Sequence, residues 1–218
     1  MAARARAPDT RPIIMICGCQ KYLPFLKATM RRMVHPDWQV VGLLGDSSLT
    51  EAHLKGAILT LPVPDTYEAL PAKVYAGFSW LATKLPHAIG IFKTDDDIIF
   101  QDKAAIHQQI MDNLFRPYWA LRVGSCSEGV IDKERIESRF TDTALRPSHQ
   151  AARYGFGHGY WLGREVLPLI IAAETEYRES FLEDVCTGAV LNKAGFIPVR
   201  LYLPYMEHPR TPEYLNTR

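Results

Sequence analysis

An α/β domain with a mostly parallel sheet is the fold class this sequence predicts, and three observations carry it. Short apolar runs end at glycine, as in Ile13–Cys17 before Gly18 and residues 38–44 before Gly45. That is the pattern of strands buried on both faces that open onto loops. Segments with apolar residues at helical spacing alternate with those runs, the order of a parallel sheet wrapped by helices. Finally, the run from Ala88 to Thr94 climbs into Asp95-Asp96-Asp97 and falls straight back into Ile98-Ile99-Phe100. A parallel sheet places its ligand cleft outside the carboxyl ends of its strands, which is where such a cluster would stand.

The elements follow in order. After the first strand, Leu23, Leu26, Met30 and Met33 recur at helical spacing, and the segment stops near His35-Pro36, because a residue before proline avoids the helical region. Residues 38–44 and 57–61 read as the next two strands. Across residues 67–85 one face collects Tyr67, Leu70, Val74, Phe78, Leu81 and Leu85. Pro71 falls in that helix's first turn, where a missing N–H costs little, and Pro86 ends it. The strand carrying the aspartates comes next, then an amphipathic helix over 102–114 and a strand over 118–123. Residues 125–150 are polar and aperiodic and read as a long loop region. Residues 164–173 and 185–194 read as helices, the latter ended by Gly195, residues 196–203 as a last strand and 204–218 as a tail. No internal repeat interrupts the order.

Composition sets the outer bounds. The 218 residues are 47% hydrophobic, enough for one packed domain of two intimate halves behind a frayed stretch of about residues 1–10. A formal charge of +1 leaves no basic field for nucleic acid. No apolar stretch has the length of a transmembrane segment, and the first residues lack the apolar core of a secretory signal. The cysteines stand at 17, 19, 126 and 186 without the spacing of a zinc or redox pair. Reduced, buried thiols and a cytoplasmic location are the expectation.

Three adjacent carboxylates repel one another, and burying one unpartnered is costly. A hard divalent cation relieves both problems, taking one or two carboxylates and filling its shell with water and ligand phosphates. The competing reading is a solvated acidic turn, but β-branched and aromatic residues flank this one on both sides. Farther on, Tyr154-Gly155-Phe156-Gly157-His158-Gly159-Tyr160-Trp161 alternates glycine with aromatics. Glycines let backbone approach a ligand and rings offer faces to sugar or base; a bulged core strand would read the same way.

Together these segments resemble the β-1,3-galactosyltransferase and fringe-like family (glycosyltransferase family 31). The resemblance rests on Asp65-Thr66-Tyr67-Glu68-Ala69-Leu70 with Lys73 and Trp80, on Lys93-Thr94-Asp95-Asp96-Asp97, on Gly157-His158-Gly159-Tyr160, and on Glu183-Asp184-Val185-Cys186-Thr187-Gly188. It covers about residues 60–210. His158 stands where the family has glycine, and the expectation from this sequence is a form without the family's membrane anchor, stem and disulfides.

The resemblance implies a GT-A fold, with a nucleotide-sugar-binding half over about 11–100 and an acceptor-binding half with a C-terminal tail over about 101–218. It implies Mn²⁺ or Mg²⁺ on the diphosphate of a nucleotide-diphosphate sugar, a UDP-sugar first among them, and a glycan acceptor. Carried over, Asp97 is the principal metal ligand and Asp95 and Asp96 are donor contacts. Asp184 is the base of an inverting transfer, although acids at a helix N-terminus also serve the dipole alone. His208 is a candidate metal ligand or a surface histidine. Lys73 reaches donor phosphates or simply decorates a polar helix face. Gly18, Cys19 and Gln20 line the nucleotide pocket by topology, and Gly157, His158 and Gly159 approach the donor. Two rivals stand beside this reading: a metal-dependent phosphohydrolase or nucleotidyltransferase, and a catalytically silent nucleotide-sugar-binding module.

Overall fold

The computed structural model describes residues 8–126, 152–208, 210, 211 and 215. Its centre is β1 (Ile13–Cys17), five buried residues long, paired in parallel with β2 (Gln39–Gly45) on one side and β5 (Gly90–Asp95) on the other. β4 (Ile58–Leu61) extends the sheet in parallel beyond β2. β3 (His53–Lys55), with all three residues exposed, closes that edge antiparallel. On the far side β10 (Tyr160–Gly163) runs antiparallel between β5 and β7 (Tyr118–Ala120), and β11 (Val199–Arg200) pairs in parallel with β7. The order of this eight-stranded sheet is therefore β11-β7-β10-β5-β1-β2-β4-β3.

Both faces are covered, which is why β1 reads as an unbroken apolar run. Ile13, Met15 and Cys17 pack with Val74, Phe78 and Leu81 of α2 (Leu70–Lys84). The intervening Ile14 and Ile16 pack with Leu26, Met30 and Met33 of α1 (Leu23–Met33) and with Ile106 and Ile110 of α3 (Lys103–Asp112). Each isoleucine so buried contributes about 1.5–3 kcal/mol. α3 starts where Asp102 accepts hydrogen bonds from the N–H groups of Ala104 and Ala105, a side-chain cap. α4 (Leu167–Ile171), α5 (Glu174–Arg178) and α6 (Glu183–Lys193) complete the α2 side. Gly195, at φ 84°, adopts the left-handed conformation beyond α6 that glycine takes without strain.

The departures from the sequence reading have local causes. The apolar stretch 164–173 splits into a 3-10 turn (Arg164–Val166) and α4, because Pro168 starts a new helix in its first turn. The strand expected over 118–123 leaves the sheet after Ala120, and β8 (Val123–Cys126) pairs with β9 (Ala152–Gly155) instead. That strand occupies the first two positions of the expected 125–150 loop; positions 127–150 lie outside the described residues. The last strand shrinks to β11 between Pro198 and Pro204, since proline cannot donate to a ladder. The tail is not featureless. β12 (Tyr205–Glu207) pairs antiparallel with β6 (Ile98–Phe100), directly after the aspartates. Among the described residues no helix is long and apolar enough to cross a membrane. The four cysteines are thiols outside any disulfide, Cys17 and Cys186 buried and Cys19 and Cys126 half-buried.

Gly90 opens β5 opposite Gly163 of β10. A Cβ there would run into the Trp161 indole and stand 2.6 Å from the Leu162 carbonyl oxygen. Trp161 is fully buried and stacked on Trp119, so it has no room to yield. Gly90→Ala is expected to cost about 1–3 kcal/mol through overpacking; urea unfolding that matches wild type would show that this corner can relax.

Candidate functional site

A cleft of about 700 Å³ opens at the carboxyl ends of β1 and β5, the position a parallel sheet provides for ligands. Cys17, Gly18 and Cys19 line it from β1, Asp65 and Lys73 from the α2 side, and Asp95 and Asp97 from the β5–β6 turn. Gly157, His158, Glu183 and Asp184 close the far wall.

The three aspartates do three different things. Asp95 ends β5, and its carboxylate accepts a hydrogen bond from Lys93 Nζ at 2.7 Å. Asp96 is fully buried: its N–H donates to the Cys17 carbonyl and its own carbonyl accepts from the Thr29 hydroxyl at 2.8 Å. Burial pushes its carboxyl up to about 6, against the pull of Arg210. Asp97 faces the cleft, and burial raises it too.

Two buried lysines organise the walls. Lys93, with no exposed surface, donates to Asp95 and, at 2.6 Å, to Glu183 Oε1. The Tyr160 hydroxyl donates to Glu183 Oε2 at 2.7 Å. Burial pushes the Glu183 carboxyl up to about 7, with Lys93 pulling it back. Both oxygens of Glu183 are therefore engaged. Its neighbour Asp184 accepts from the Gly157 N–H at 3.3 Å and lines the cleft. Gly157 must be small: a Cβ would stand 3.0 Å from Asp95 Oδ2 and 3.1 Å from Lys93 Nζ. On the other wall Lys73 donates to the Gly18 carbonyl at 2.7 Å and to Asp65 at 2.8 Å. Asp65 also accepts the N–H groups of Gln20 and Gly45, so one carboxylate fastens the loops after β1 and β2.

The C-terminal segment supplies the third wall. The His208 N–H donates to the Asp97 carbonyl at 2.7 Å. Glu207 reaches His158 Nε2 at 2.9 Å, and the Tyr205 hydroxyl lies 3.3 Å from its Nδ1. Arg210 stands with its guanidinium 2.6 Å from Asp96 Oδ1 and 3.1 Å from Asp97 Oδ2, over the Tyr22 ring. A cation is thus already stationed at the aspartates. Carboxylate oxygens on an open cleft are the ligands a hard divalent ion accepts, with its remaining positions left to phosphate and water. Asp95 and Asp97 could hold such an ion. The aspartates and His208 do not close to within 4.8 Å as a three-ligand cage among the described residues.

Of the residues singled out in the sequence, Gly18, Cys19, Lys73, Asp95, Asp97, Gly157, His158 and Asp184 meet in this cleft. Asp96 turns inward, Gln20 contributes its backbone to Asp65, and Gly159 packs against Phe92 and Leu121 in the core. Lys73 is buried rather than on a polar helix face. Asp65, Lys93 and Glu183 belonged to the recognised motifs without a role, and the lone lysine inside the apolar run of β5 was the available signal. Arg210, Tyr205 and Glu207 left no signal, being polar or isolated residues in a short segment.

Residues 41–201 match the galactosyltransferase family. The chain is 25% identical to human β-1,3-galactosyltransferase 2 over 190 residues, 87% of this chain and 45% of that protein. It is 29% identical to the mouse protein of the same name over 136 residues, 62% of this chain and 32% of that one. The chain therefore spans less than half the length of these two relatives. Among solved structures, a 4-diphosphocytidyl-2C-methyl-D-erythritol synthase from Anaerococcus prevotii superposes with a TM-score of 0.52 at 11% identity, covering 95% of this chain and 96% of that one. The last likeness is one of fold alone.

The raised Glu183 carboxyl makes a linkage prediction. Its folded-state value near 7 lies above the ordinary 4.5, so the folded state holds the proton longer than the unfolded chain. Its contribution is full below about pH 4.5 and declines as pH rises to about 7. Across that window wild type should lose roughly 1–3 kcal/mol relative to Glu183→Gln. Parallel stability–pH curves for the two proteins would place the Glu183 proton elsewhere.

Proposed function

The chain belongs to the galactosyltransferase family, and from that premise we propose a metal-dependent, inverting transfer. A hexose or deoxyhexose moves from a nucleotide-diphosphate sugar, UDP-linked in the first instance, to a hydroxyl of a glycan acceptor. The observation that carries the reading is the division of labour in the Glu183-Asp184 pair. Both line the cleft with Asp95 and Asp97, but Glu183 is tied to the buried side chains of Lys93 and Tyr160, whereas Asp184 accepts the backbone N–H groups of Gly157 and Val185.

In this reading Asp184 takes the proton of the acceptor hydroxyl as its oxygen attacks the anomeric carbon. The bond from that carbon to the diphosphate oxygen breaks on the opposite face, and the electron pair leaves with the nucleoside diphosphate. Asp97 and Asp95 would hold Mn²⁺ or Mg²⁺, with His208 a further candidate ligand, and the bound ion would supply positive charge to the leaving diphosphate. The Gly157 N–H holds Asp184 in place, and Gly157 leaves the backbone room to approach a sugar. Gly18 and Cys19 offer the β1 loop to the nucleotide, and Lys73 keeps that loop in shape through the Gly18 carbonyl. The half-buried His158, stacked with Phe156 and tied to Glu207, lines the cleft where the family pattern has no side chain. A panel of nucleotide sugars with Mn²⁺, scored by release of nucleoside diphosphate, tests the reaction class and identifies the donor.

Substitution separates the roles. Asp184→Asn keeps the shape and one of the two backbone N–H bonds that the carboxylate accepts, but cannot take a proton at neutral pH. Transfer should fall roughly 100-fold or more while nucleotide affinity and melting temperature stay near wild type. Glu183→Gln should act mainly on stability. An active Asp184→Asn beside an inactive Glu183→Gln would move the base by one residue.

Metal dependence is read separately by calorimetry. Asp97→Ala should remove the Mn²⁺-dependent part of nucleoside diphosphate binding, and His208→Ala should weaken it by roughly 10- to 100-fold if the imidazole ligates the ion. Unchanged Mn²⁺-dependent affinity in a folded Asp97→Ala protein would take Asp97 out of the metal site.

A further inference from the structure

We propose that His35, Asp37 and His107 form a second metal site, for a borderline first-row transition ion such as Zn²⁺, at the end of the sheet away from the cleft. His35 and Asp37 lie in the corner between α1 and β2, and His107 projects from α3. That corner sits at the amino ends of the strands: Gln39 pairs with Ile13, its N–H donates to the Pro12 carbonyl, and Arg11 donates to the Pro36 carbonyl. The cleft lies at the opposite, carboxyl ends.

The geometry is close to what an ion needs. His107 Nε2 stands 2.8 Å and His35 Nδ1 3.6 Å from Asp37 Oδ2, and the three ligand atoms lie within 4.8 Å of one another. A tetrahedral Zn²⁺ with bonds of about 2.0–2.1 Å spreads its ligands by roughly 3.3 Å, so those two separations bracket the ideal edge. The ligand atoms are also held. The two imidazoles lie 4.2 Å apart, and His35 and His107 pack on Trp38 at 4.9 and 5.5 Å. Trp38 is itself buried, with its indole N–H on the Met33 carbonyl. The Asp37 N–H points to His35 Nδ1 at 3.3 Å, a long bond that an ion on this nitrogen would replace.

The charge balance favours a cation as well. Arg11, whose guanidinium donates to the Pro36 carbonyl beside this corner, is paired with Asp9 at 2.6 Å. The side chains are 26–48% exposed, so water can complete the shell from the open side. Two imidazoles and one carboxylate select zinc-like ions over Mg²⁺, whereas the aspartates of the cleft prefer the hard ion. The two sites are thus distinguishable by metal. A bound ion would clip the α1–β2 corner to α3 and stabilise the fold in proportion to its occupancy. Without an ion the same groups make an exposed polar cluster, which is worth little.

Calorimetric titration with Zn²⁺ in excess Mg²⁺ decides between the two. Wild type and Asp97→Ala should each bind one equivalent at this corner, whereas His35→Gln/His107→Gln should bind at least roughly tenfold more weakly, since removing ligands costs no less than disturbing their supports. Co²⁺ added in place of Zn²⁺ should give the visible bands of a four-coordinate ion in the first two proteins and not in the double variant. The double variant should keep wild-type Mn²⁺-dependent activity and, in chelator, the wild-type melting temperature. No saturable Zn²⁺ binding by wild type, equal affinity in the double variant, or loss of the Zn²⁺ site in Asp97→Ala would each overturn the proposal.

Discussion

A lysine ammonium without exposed surface, at the centre of a sheet, is the constraint on which the cleft depends. Lys93 sits two residues from the end of β5 and cannot be left unpaired, because removing one partner of a buried ion pair costs about 3–5 kcal/mol. Its partners are Asp95, in the same strand, and Glu183, ninety residues later at the start of α6. Meeting that demand brings the first turn of α6 to the end of β5. Asp184 is carried along by being next in sequence. The Tyr160 hydroxyl and the carbonyl of Gly157 complete the arrangement, so the glycine–aromatic turn is fixed by the same charge.

The opposite wall repeats the device with the signs exchanged. There the hub is a carboxylate, Asp65, which collects Lys73 and the backbone N–H groups of Gln20 and Gly45. Loops at strand ends carry unpaired backbone donors that must be satisfied once they are removed from water. One aspartate does this for two loops and leaves Lys73 to cover the Gly18 carbonyl. Rigid loops are what a ligand site requires, because any ordering left until binding subtracts from affinity.

The C-terminal segment completes the acidic end of the cleft. β12 is only three residues long, yet its pairing with β6 places His208, Glu207 and Arg210 around Asp97, His158 and Asp96. Arg210 adopts φ 51°, a left-handed conformation that a non-glycine residue takes only when its surroundings compensate. Two carboxylates and a tyrosine face are that compensation.

The sequence by itself determined the layered α/β fold, because strands buried on both faces must be apolar throughout and their helices must carry an apolar stripe. It also determined that the aspartates end a core strand, since β5 and β6 flank them with residues that belong inside. The order of the sheet, its antiparallel strand β10 and the division of residues 164–178 into short helices were decided by packing. So was the pairing of Lys93 with Glu183, and the choice of which aspartate turns inward. Nothing local distinguishes Asp96 from its neighbours; its carboxyl is buried because its N–H is held by Cys17 and its carbonyl by Thr29. The role of the last residues was equally hidden. A three-residue strand has no periodicity to read, and its position is set by hydrogen bonds to a partner more than a hundred residues away.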